Sequence, residues 1–175
     1  VRDIKKGDNI YFYYSGHGVP VTDDKNKPYI MARDMVPDFL SQEKFFKVDN
    51  IYKLLSDSRA SKVIAFMDSC FTGGVDGRSI LKDKASGVLV PKEAQIDKEK
   101  ITVITAGSDR QFSNAYNKKG HRLFSYYLTK ALLNNHHSVK GLFDEVHDNT
   151  KTESRKLGGN NIQTPMLLGN SKAKF

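Results

Sequence analysis

The chain has 175 residues, of which 38% are hydrophobic and 27% charged, and this composition is typical of one soluble globular domain. Its 28 basic and 20 acidic residues give a net charge of +8, but they are intermixed and form no basic stripe with aromatic residues. We therefore expect no nucleic-acid partner. No apolar run approaches the roughly 20 residues that cross a bilayer, so we also expect no membrane segment.

The start of the chain and its cysteine content add two expectations. Because the sequence begins at Val1 rather than methionine and soon enters a strand-like segment, we expect it to belong to a longer protein. Cys70 is the only cysteine, which excludes an internal disulfide framework and a cysteine-based metal site. A reactive thiol must stay reduced, and this favours a cytoplasmic location.

The hydrophobic pattern predicts strands that alternate with helices. Apolar positions take helical spacing from Val48, with Asp49 as a candidate N-cap, and again around Phe124, while Ser138 is expected to cap a third helix. Alternating strands and helices, with strands that are almost wholly apolar, predict a three-layer αβα fold with a mostly parallel sheet. The predicted strands cover residues 9–14, 29–32, 63–67, 101–106 and 166–168.

The segment 74–100 differs in composition from its surroundings. It is rich in glycine, lysine, aspartate and serine and has no sustained period, which predicts a long exposed loop between two halves of one domain. A merely solvated loop and a loop open to a lysine-directed protease fit this composition equally well. The candidate cleavage positions are Lys82, Lys84, Lys92, Lys98 and Lys100.

Two strand-like runs each end in a reactive side chain. NIYFYYSGHG contains His17 and VIAFMDSCFTGG contains Cys70. Sites of parallel sheets form at the carboxyl ends of the strands, so we predict that the imidazole and the thiol meet there. A free thiol has a pKa of about 8.5 and attacks carbonyls as the thiolate. A histidine within reach accepts its proton and later donates it to the leaving amine.

The backbone around these two side chains fits the same chemistry. The N–H groups of Gly18 and Cys70 are candidate donors to the oxygen of a tetrahedral intermediate. Glycines at 16, 73 and 74 allow tight turns. The alternatives are a cysteine that is a small core residue and a histidine with a purely structural role. The remaining histidines lack this setting and are interpreted as surface residues: His121, His136, His137 and His147.

These motifs resemble the caspase-like cysteine peptidases, most closely their bacterial and metacaspase branches. YYSGHG and FMDSCFTGG are similar to the segments around the family's histidine and cysteine. ITVITAGSDRQFS, GHRLFSYYLTKAL and QTPMLLG are similar to its small-subunit half, so the resemblance runs from Asp8 to Gly169. It implies one caspase-like catalytic domain, with a large-subunit-like half (1–73), a linker (74–100) and a small-subunit-like half (101–175). It also implies that His17 is the catalytic histidine, that Cys70 is the nucleophile, and that Gly18 and Cys70 form the oxyanion hole.

The substrate pocket departs from the animal caspases. Where their motif is QACRG this chain has DSCFTG, so Asp68 replaces a glutamine that helps to hold an aspartate side chain. The metacaspase branch has this aspartate, together with a serine at the position of Ser15, and cuts after basic residues. We therefore expect a cysteine endopeptidase that cleaves polypeptides after Arg or Lys, with Asp68 and Ser15 in the pocket. The alternative for Asp68 is a loop-capping carboxylate.

Other expectations from the resemblance concern ligands and activity. The family's first strand and helix are absent, and its acidic calcium cluster is not clearly matched by Asp23, Asp24 and Asp34. We therefore expect no cofactor, with calcium as the alternative. Candidate groove residues lie in 107–119, and the oligomeric state is not indicated. The rival function is a catalytically inactive caspase-like scaffold in signalling. The groove candidates are Ser108, Asp109 and Gln111.

Overall fold

The computed structural model describes residues 3–71, 74–75, 78–79, 97–108 and 111–175. Within these residues the chain forms ten strands and three α-helices, with several short 3₁₀ turns between them. No helix of this part of the chain is long and apolar enough to span a membrane. The strands are β1 (Asn9–Ser15), β2 (His17–Val21), β3 (Lys27–Met31), β4 (Lys62–Asp68), β5 (Gly74–Val75), β6 (Arg78–Ser79), β7 (Ile101–Thr105), β8 (Ala115–Tyr116), β9 (His121–Arg122) and β10 (Met166–Gly169), and the helices are α1 (Val48–Ser56), α2 (Leu123–Leu132) and α3 (Val139–Arg155).

The central sheet of the described residues has four strands in the order β1–β4–β7–β10. β1, β4 and β7 run parallel, whereas β10 is antiparallel to β7. β4 and β7 are buried almost along their whole length, as expected for strands covered on both faces. All five predicted strands are present, each with bounds that differ by no more than a few positions.

Helices cover both faces of this sheet. Along β4 the side chains alternate, so that Val63 and Met67 pack in the cluster that includes α1, whereas Ile64 and Phe66 pack in the cluster of α2 and α3. Each fully buried aliphatic side chain contributes about 1.5–3 kcal/mol. The three-layer αβα architecture with a mostly parallel sheet is therefore confirmed, because both faces of the sheet are sealed by helices.

Of the two predicted helix N-caps, one is observed and the other is not. The Ser138 hydroxyl accepts a hydrogen bond from the Gly141 N–H at 3.2 Å, so this residue caps α3 as predicted. The prediction of Asp49 as an N-cap is wrong, because α1 begins one residue earlier, at Val48. Asp49 instead lies in the first turn, where a carboxylate is stabilised by the positive end of the helix dipole.

An antiparallel hairpin of β2 and β3 follows β1 directly. The sequence predicted only its second strand, since the first, HGVPV, contains the glycine and proline that are depleted from strands. Asp24 in the hairpin turn accepts hydrogen bonds from the Tyr29 hydroxyl at 2.9 Å and from Lys47 Nζ at 2.7 Å. Burial raises the pKa of Asp24, but these two hydrogen bonds outweigh it and hold that pKa below its ordinary value.

Two of the three acidic residues that were considered for calcium, Asp23 and Asp24, have local structural partners. Asp24 is engaged by Tyr29 and Lys47, and Asp23 accepts a long hydrogen bond from the Thr22 hydroxyl. Within the part of the chain that the structure describes, no group of three or more His, Cys, Asp or Glu residues is placed to hold a metal ion.

Only the ends of the predicted 74–100 loop are described. β5 and β6 form a short antiparallel pair, and residues 97–100 form a turn that leads into β7. In this turn Lys98 is exposed, whereas Lys100 Nζ donates to the Ser56 carbonyl at 2.6 Å. The other three candidate cleavage positions, Lys82, Lys84 and Lys92, lie outside the described residues.

Candidate active site

The pairing of β1 with β4 brings His17 and Cys70 to one edge of the sheet. The last residues of the two strands, Ser15 and Asp68, are direct partners in the parallel register. The Gly16 N–H then donates to the Asp68 carbonyl at 3.2 Å, which extends the pairing by one more step. Neighbouring strands lie about 4.8 Å apart. His17 and Cys70 each follow two positions after this last pair, so both lie just beyond the ends of adjacent strands, at the same edge of the sheet.

Gly18 lies in close contact with the segment that carries Cys70. A Cβ atom on Gly18 would lie 2.6 Å from the Cys70 carbonyl oxygen and closer still to the Phe71 ring. No side chain fits in this space, so the backbone that follows His17 lies directly against the backbone that carries the thiol. Glycine at this position is required for its lack of a side chain rather than for an unusual φ angle.

The burial of the two reactive residues differs. His17 is partly buried, and Cys70 is 7% exposed, so it is buried without being fully enclosed. Although Cys70 is buried, it belongs to none of the three apolar clusters among the described residues. Cys70 thus lies just beyond the end of β4, among the buried residues of the chain but beside the packed clusters rather than within them.

Tyr14 ties the backbone of His17 to the hairpin. Its hydroxyl lies within donor distance of the His17 carbonyl (2.8 Å) and the Met31 carbonyl (3.0 Å), and it accepts a hydrogen bond from the Met31 N–H at 3.2 Å. A Cβ on Gly16 would lie 2.5 Å from this hydroxyl, so the turn leaves room for it. Burial raises the pKa of Tyr14, although the hydrogen bond with Met31 and the charge of Arg122 act in the opposite direction. The phenol therefore stays protonated and able to donate at neutral pH.

Asp68 lies at the centre of a buried polar network and is 0% exposed. Its Oδ1 accepts from the Ser113 hydroxyl and from Arg122 Nε, the latter at 3.3 Å. Its Oδ2 accepts from the Ser125 hydroxyl and from the Ser125 N–H, the latter at 3.1 Å. The Tyr13 hydroxyl lies 2.6 Å from the Ser125 hydroxyl and extends the network.

The position of Asp68 gives it a capping role at α2. Ser125 lies in the first turn of α2, whose N-cap residue, Arg122, makes no side-chain hydrogen bond to the N–H groups of that turn. The carboxylate of Asp68 reaches this turn from β4 and accepts a backbone N–H that has no partner within the helix. The alternative considered for Asp68 was a loop-capping carboxylate, whereas the contact observed is with the first turn of a helix.

A family model described as the caspase domain matches residues 1–175. The chain belongs to the caspase-domain family, which is a family of cysteine peptidases that act on polypeptides. No curated protein matches the chain significantly. This assignment confirms the resemblance that the motifs around His17 and Cys70 indicated, without identifying a branch of the family.

Solved structures support the caspase-domain fold at low sequence identity. The protein GSU0716 from Geobacter sulfurreducens superposes with a TM-score of 0.62 at 19% identity, over 99% of this chain and 72% of that one. Caspase-1 from Spodoptera frugiperda superposes with a TM-score of 0.53 at 14% identity, over 91% of this chain. This caspase domain spans 59% of the length of the caspase-1 chain.

The remaining candidate residues for the pocket and the groove differ in their exposure and in their contacts. Ser15 is exposed at the end of β1, beside Asp68 in the register. Gln111 ties its loop to another segment, since its side-chain oxygen accepts from the N–H groups of Ser108 at 3.2 Å and Thr164 at 2.7 Å. Asp109 lies outside the described residues. Gly73 does as well, whereas Gly74 begins β5.

The other four histidines are exposed or are paired with acidic residues on α3. His121 and His137 are exposed, while His136 and His147 are partly buried and pair with Glu145 and Asp148, respectively. The sequence interpretation missed Tyr14, Ser113, Arg122 and Ser125 as parts of the site. Arg122 and Ser125 lie within the GHRLFSYYLTKAL segment that carried the resemblance, but nothing in that segment indicates that their side chains meet Asp68.

The Tyr14 hydroxyl is expected to stabilise the fold at this edge. Replacing Tyr14 with phenylalanine removes the bond to the His17 carbonyl and leaves the partly buried Met31 N–H without this acceptor. The free energy of unfolding should fall by about 1–3 kcal/mol, measured by urea denaturation. The matched control is Tyr11→Phe on the same strand, where the ring is 53% exposed and the change should stay within about 0.5 kcal/mol. Equal losses in both variants would contradict this role of Tyr14.

Proposed function

We propose that this caspase domain is a cysteine endopeptidase that hydrolyses polypeptides after Arg or Lys, with Cys70 as nucleophile and His17 as general base. The observation that carries the proposal is the register of β1 and β4, which ends in the pair Ser15–Asp68, two positions before each of the two reactive residues. The close contact of Gly18 with Cys70 supports it further, because it leaves no side chain between the two segments.

In the proposed reaction, His17 accepts the thiol proton as Cys70 Sγ attacks the carbonyl carbon of the scissile bond. The oxyanion of the tetrahedral intermediate accepts hydrogen bonds from the N–H groups of Gly18 and Cys70. The C–N bond then breaks, and the imidazolium donates its proton to the leaving amine. Water, deprotonated by the imidazole, attacks the thioester and releases the carboxylic acid and the thiol. This sequence of steps needs no metal ion or organic cofactor.

The proposed specificity depends on Asp68. Its carboxylate lies at the end of β4, two residues before the nucleophile, and Ser15 stands beside it on β1. In a site that excludes water, a carboxylate attracts the ammonium or guanidinium of a substrate side chain and repels an acidic one. A charged hydrogen bond of this kind contributes about 1.5–3 kcal/mol.

Fluorogenic peptides test the proposed function directly. We expect turnover of peptides with Arg or Lys before the cleaved bond to exceed that of matched Gln peptides by about 10–100-fold in kcat/KM, with Asp peptides slowest. The assays are run with calcium and with a chelator, so that a metal requirement is visible. Equal turnover of Gln and Arg peptides would contradict the basic specificity. No turnover under any of these conditions would favour the inactive scaffold.

A further inference from the structure

The side chain of Arg122 already pairs with the Asp68 carboxylate, which we assign to the substrate pocket. Its Nε lies 3.3 Å from Asp68 Oδ1 and 3.2 Å from the Ser113 hydroxyl, and a terminal guanidinium nitrogen donates to the Ser113 carbonyl at 2.8 Å. The side chain of Arg122 is 29% exposed, whereas that of Asp68 is 0% exposed. The guanidinium therefore connects a fully buried anion to the solvent.

Arg122 is the most readily displaced of the described groups that contact Asp68. The other donors are the Ser113 hydroxyl and the backbone N–H and hydroxyl of Ser125, which are short, neutral and buried. Arg122 is long, partly exposed, and the only cation that pairs with Asp68 among the described residues. Its bond is single and long, not the bidentate pairing that arginine favours with carboxylates. A better placed guanidinium could therefore replace it.

Arg122 lies at the same edge of the sheet as the proposed nucleophile. It contacts Asp68, the last residue of β4, which precedes Cys70 by two positions, and on the neighbouring strand β1 the Tyr14 hydroxyl contacts the His17 carbonyl. Asp68, Arg122, Tyr14 and the thiol thus lie at the same edge of the sheet. A substrate side chain that reaches Asp68 from a bond cleaved by Cys70 has to compete with Arg122.

We propose that Arg122 is a specificity-determining residue, an internal competitor that holds Asp68 until a basic substrate side chain displaces it into solvent. This inference rests on the proposed function, since it assumes that Asp68 receives the substrate cation. An arginine side chain can make two parallel bonds to the carboxylate, whereas a lysine ammonium makes a point contact. Competition with Arg122 therefore favours substrates with arginine over those with lysine, and it weakens the binding of both.

The test compares three variants of the full chain. Arg122→Gln removes the charge but keeps an N–H near the position of the arginine Nε, within reach of the Ser113 hydroxyl, and Arg122→Lys keeps a positive charge on a shorter side chain. Arg59→Gln is the matched control, because Arg59 is exposed and the substitution changes net charge equally. KM and kcat are measured with Arg and Lys peptides. The Kd of agmatine, a small guanidinium ligand, is measured by the rise it causes in Tm.

In Arg122→Gln we expect KM for Arg peptides and Kd for agmatine to fall by about three- to tenfold, with kcat within about twofold of the original. The preference for Arg over Lys should narrow. Arg122→Lys should lie between these values and those of the original chain, and Arg59→Gln should change neither. A merely structural role of Arg122 would raise KM or lower kcat and would not tighten agmatine binding.

The outcomes separate this inference from the proposed function. Turnover of Arg peptides with unchanged KM and Kd in Arg122→Gln would overturn the inference and leave the proposed function intact. No turnover in any variant, with tighter agmatine binding in Arg122→Gln, would overturn the proposed function and support the competition at Asp68. Should Arg122→Gln fail to fold, Arg122→Lys decides, because an agmatine Kd no lower than that of the original chain overturns the inference.

Discussion

Replacing Cys70 with alanine is expected to abolish peptide hydrolysis, with a fall in kcat of about 10⁴-fold or more. The chain contains no second cysteine that could supply a thiol, so only water remains as the nucleophile. The loss should appear as a loss of kcat on Arg peptides, measured together with Tm to show that the variant is folded. Alanine removes only the sulfur of a small side chain, and we expect little change in Tm.

Two further variants make the test of Cys70 specific. Ser69→Ala alters the preceding buried residue, whose hydroxyl makes only a long contact with the Cys70 carbonyl at 3.5 Å, and should change kcat by no more than a few fold. The double variant Cys70→Ala/His17→Ala should be no slower than Cys70→Ala alone, since the two groups act as one unit. Retained hydrolysis in Cys70→Ala would refute the assignment of the nucleophile.

Adding one methyl group at Gly18 is expected to damage the site almost as severely. The new Cβ of Gly18→Ala would lie 2.6 Å from the Cys70 carbonyl oxygen, a distance that real Cβ atoms do not adopt. Either the segment after His17 or the segment with the thiol has to shift, and a displacement of about 1 Å in a catalytic group costs about 10²-fold in rate. We expect kcat to fall by about that factor and the free energy of unfolding by about 1–3 kcal/mol.

The control for this prediction adds the same methyl group in the first turn of α3. In Gly141→Ala the nearest atom, His136 Nδ1, would lie 3.3 Å from the new Cβ, so a small adjustment suffices. The unfolding free energy of this variant should stay within about 1 kcal/mol of the original, with kcat unchanged. A Gly18→Ala variant with the activity of the original chain would show that the two segments tolerate separation, and it would remove the main geometric support for a joint site.

The strands and helices were predictable where burial is periodic along the chain. Residues 63–67 are apolar without interruption because helices cover both faces of β4, and the spacing from Val48 onwards follows the face of α1 that packs on the sheet. The sequence did not predict β2, because β2 contains a glycine and a proline, which have low strand propensity. These residues instead allow the close approach to Cys70 and the hairpin. The antiparallel direction of β10 was not predictable either. It depends on the path by which the chain returns to β7, and no local sequence pattern encodes that path.

The candidate site was likewise predictable only in part. The motifs around His17 and Cys70 indicated the reactive side chains, and the register of β1 with β4 places them at one edge; their catalytic roles stay predictions. The partners of Asp68 were not predictable, since Ser113, Arg122 and Ser125 lie 45, 54 and 57 positions away from it. Their identities as serine and arginine do not indicate which carboxylate they will meet.

By itself the sequence determined the family, the αβα layers and the two strand ends that carry the imidazole and the thiol. The hydrophobic period and the positions of the glycines are local properties, so they can be read from the sequence without the tertiary structure. Only the tertiary structure decided that Asp68 is fully buried, that it caps α2, and that Arg122 pairs with it. Whether a buried charge is stabilised depends on which donors, from segments distant in the sequence, the fold brings within about 3 Å of it.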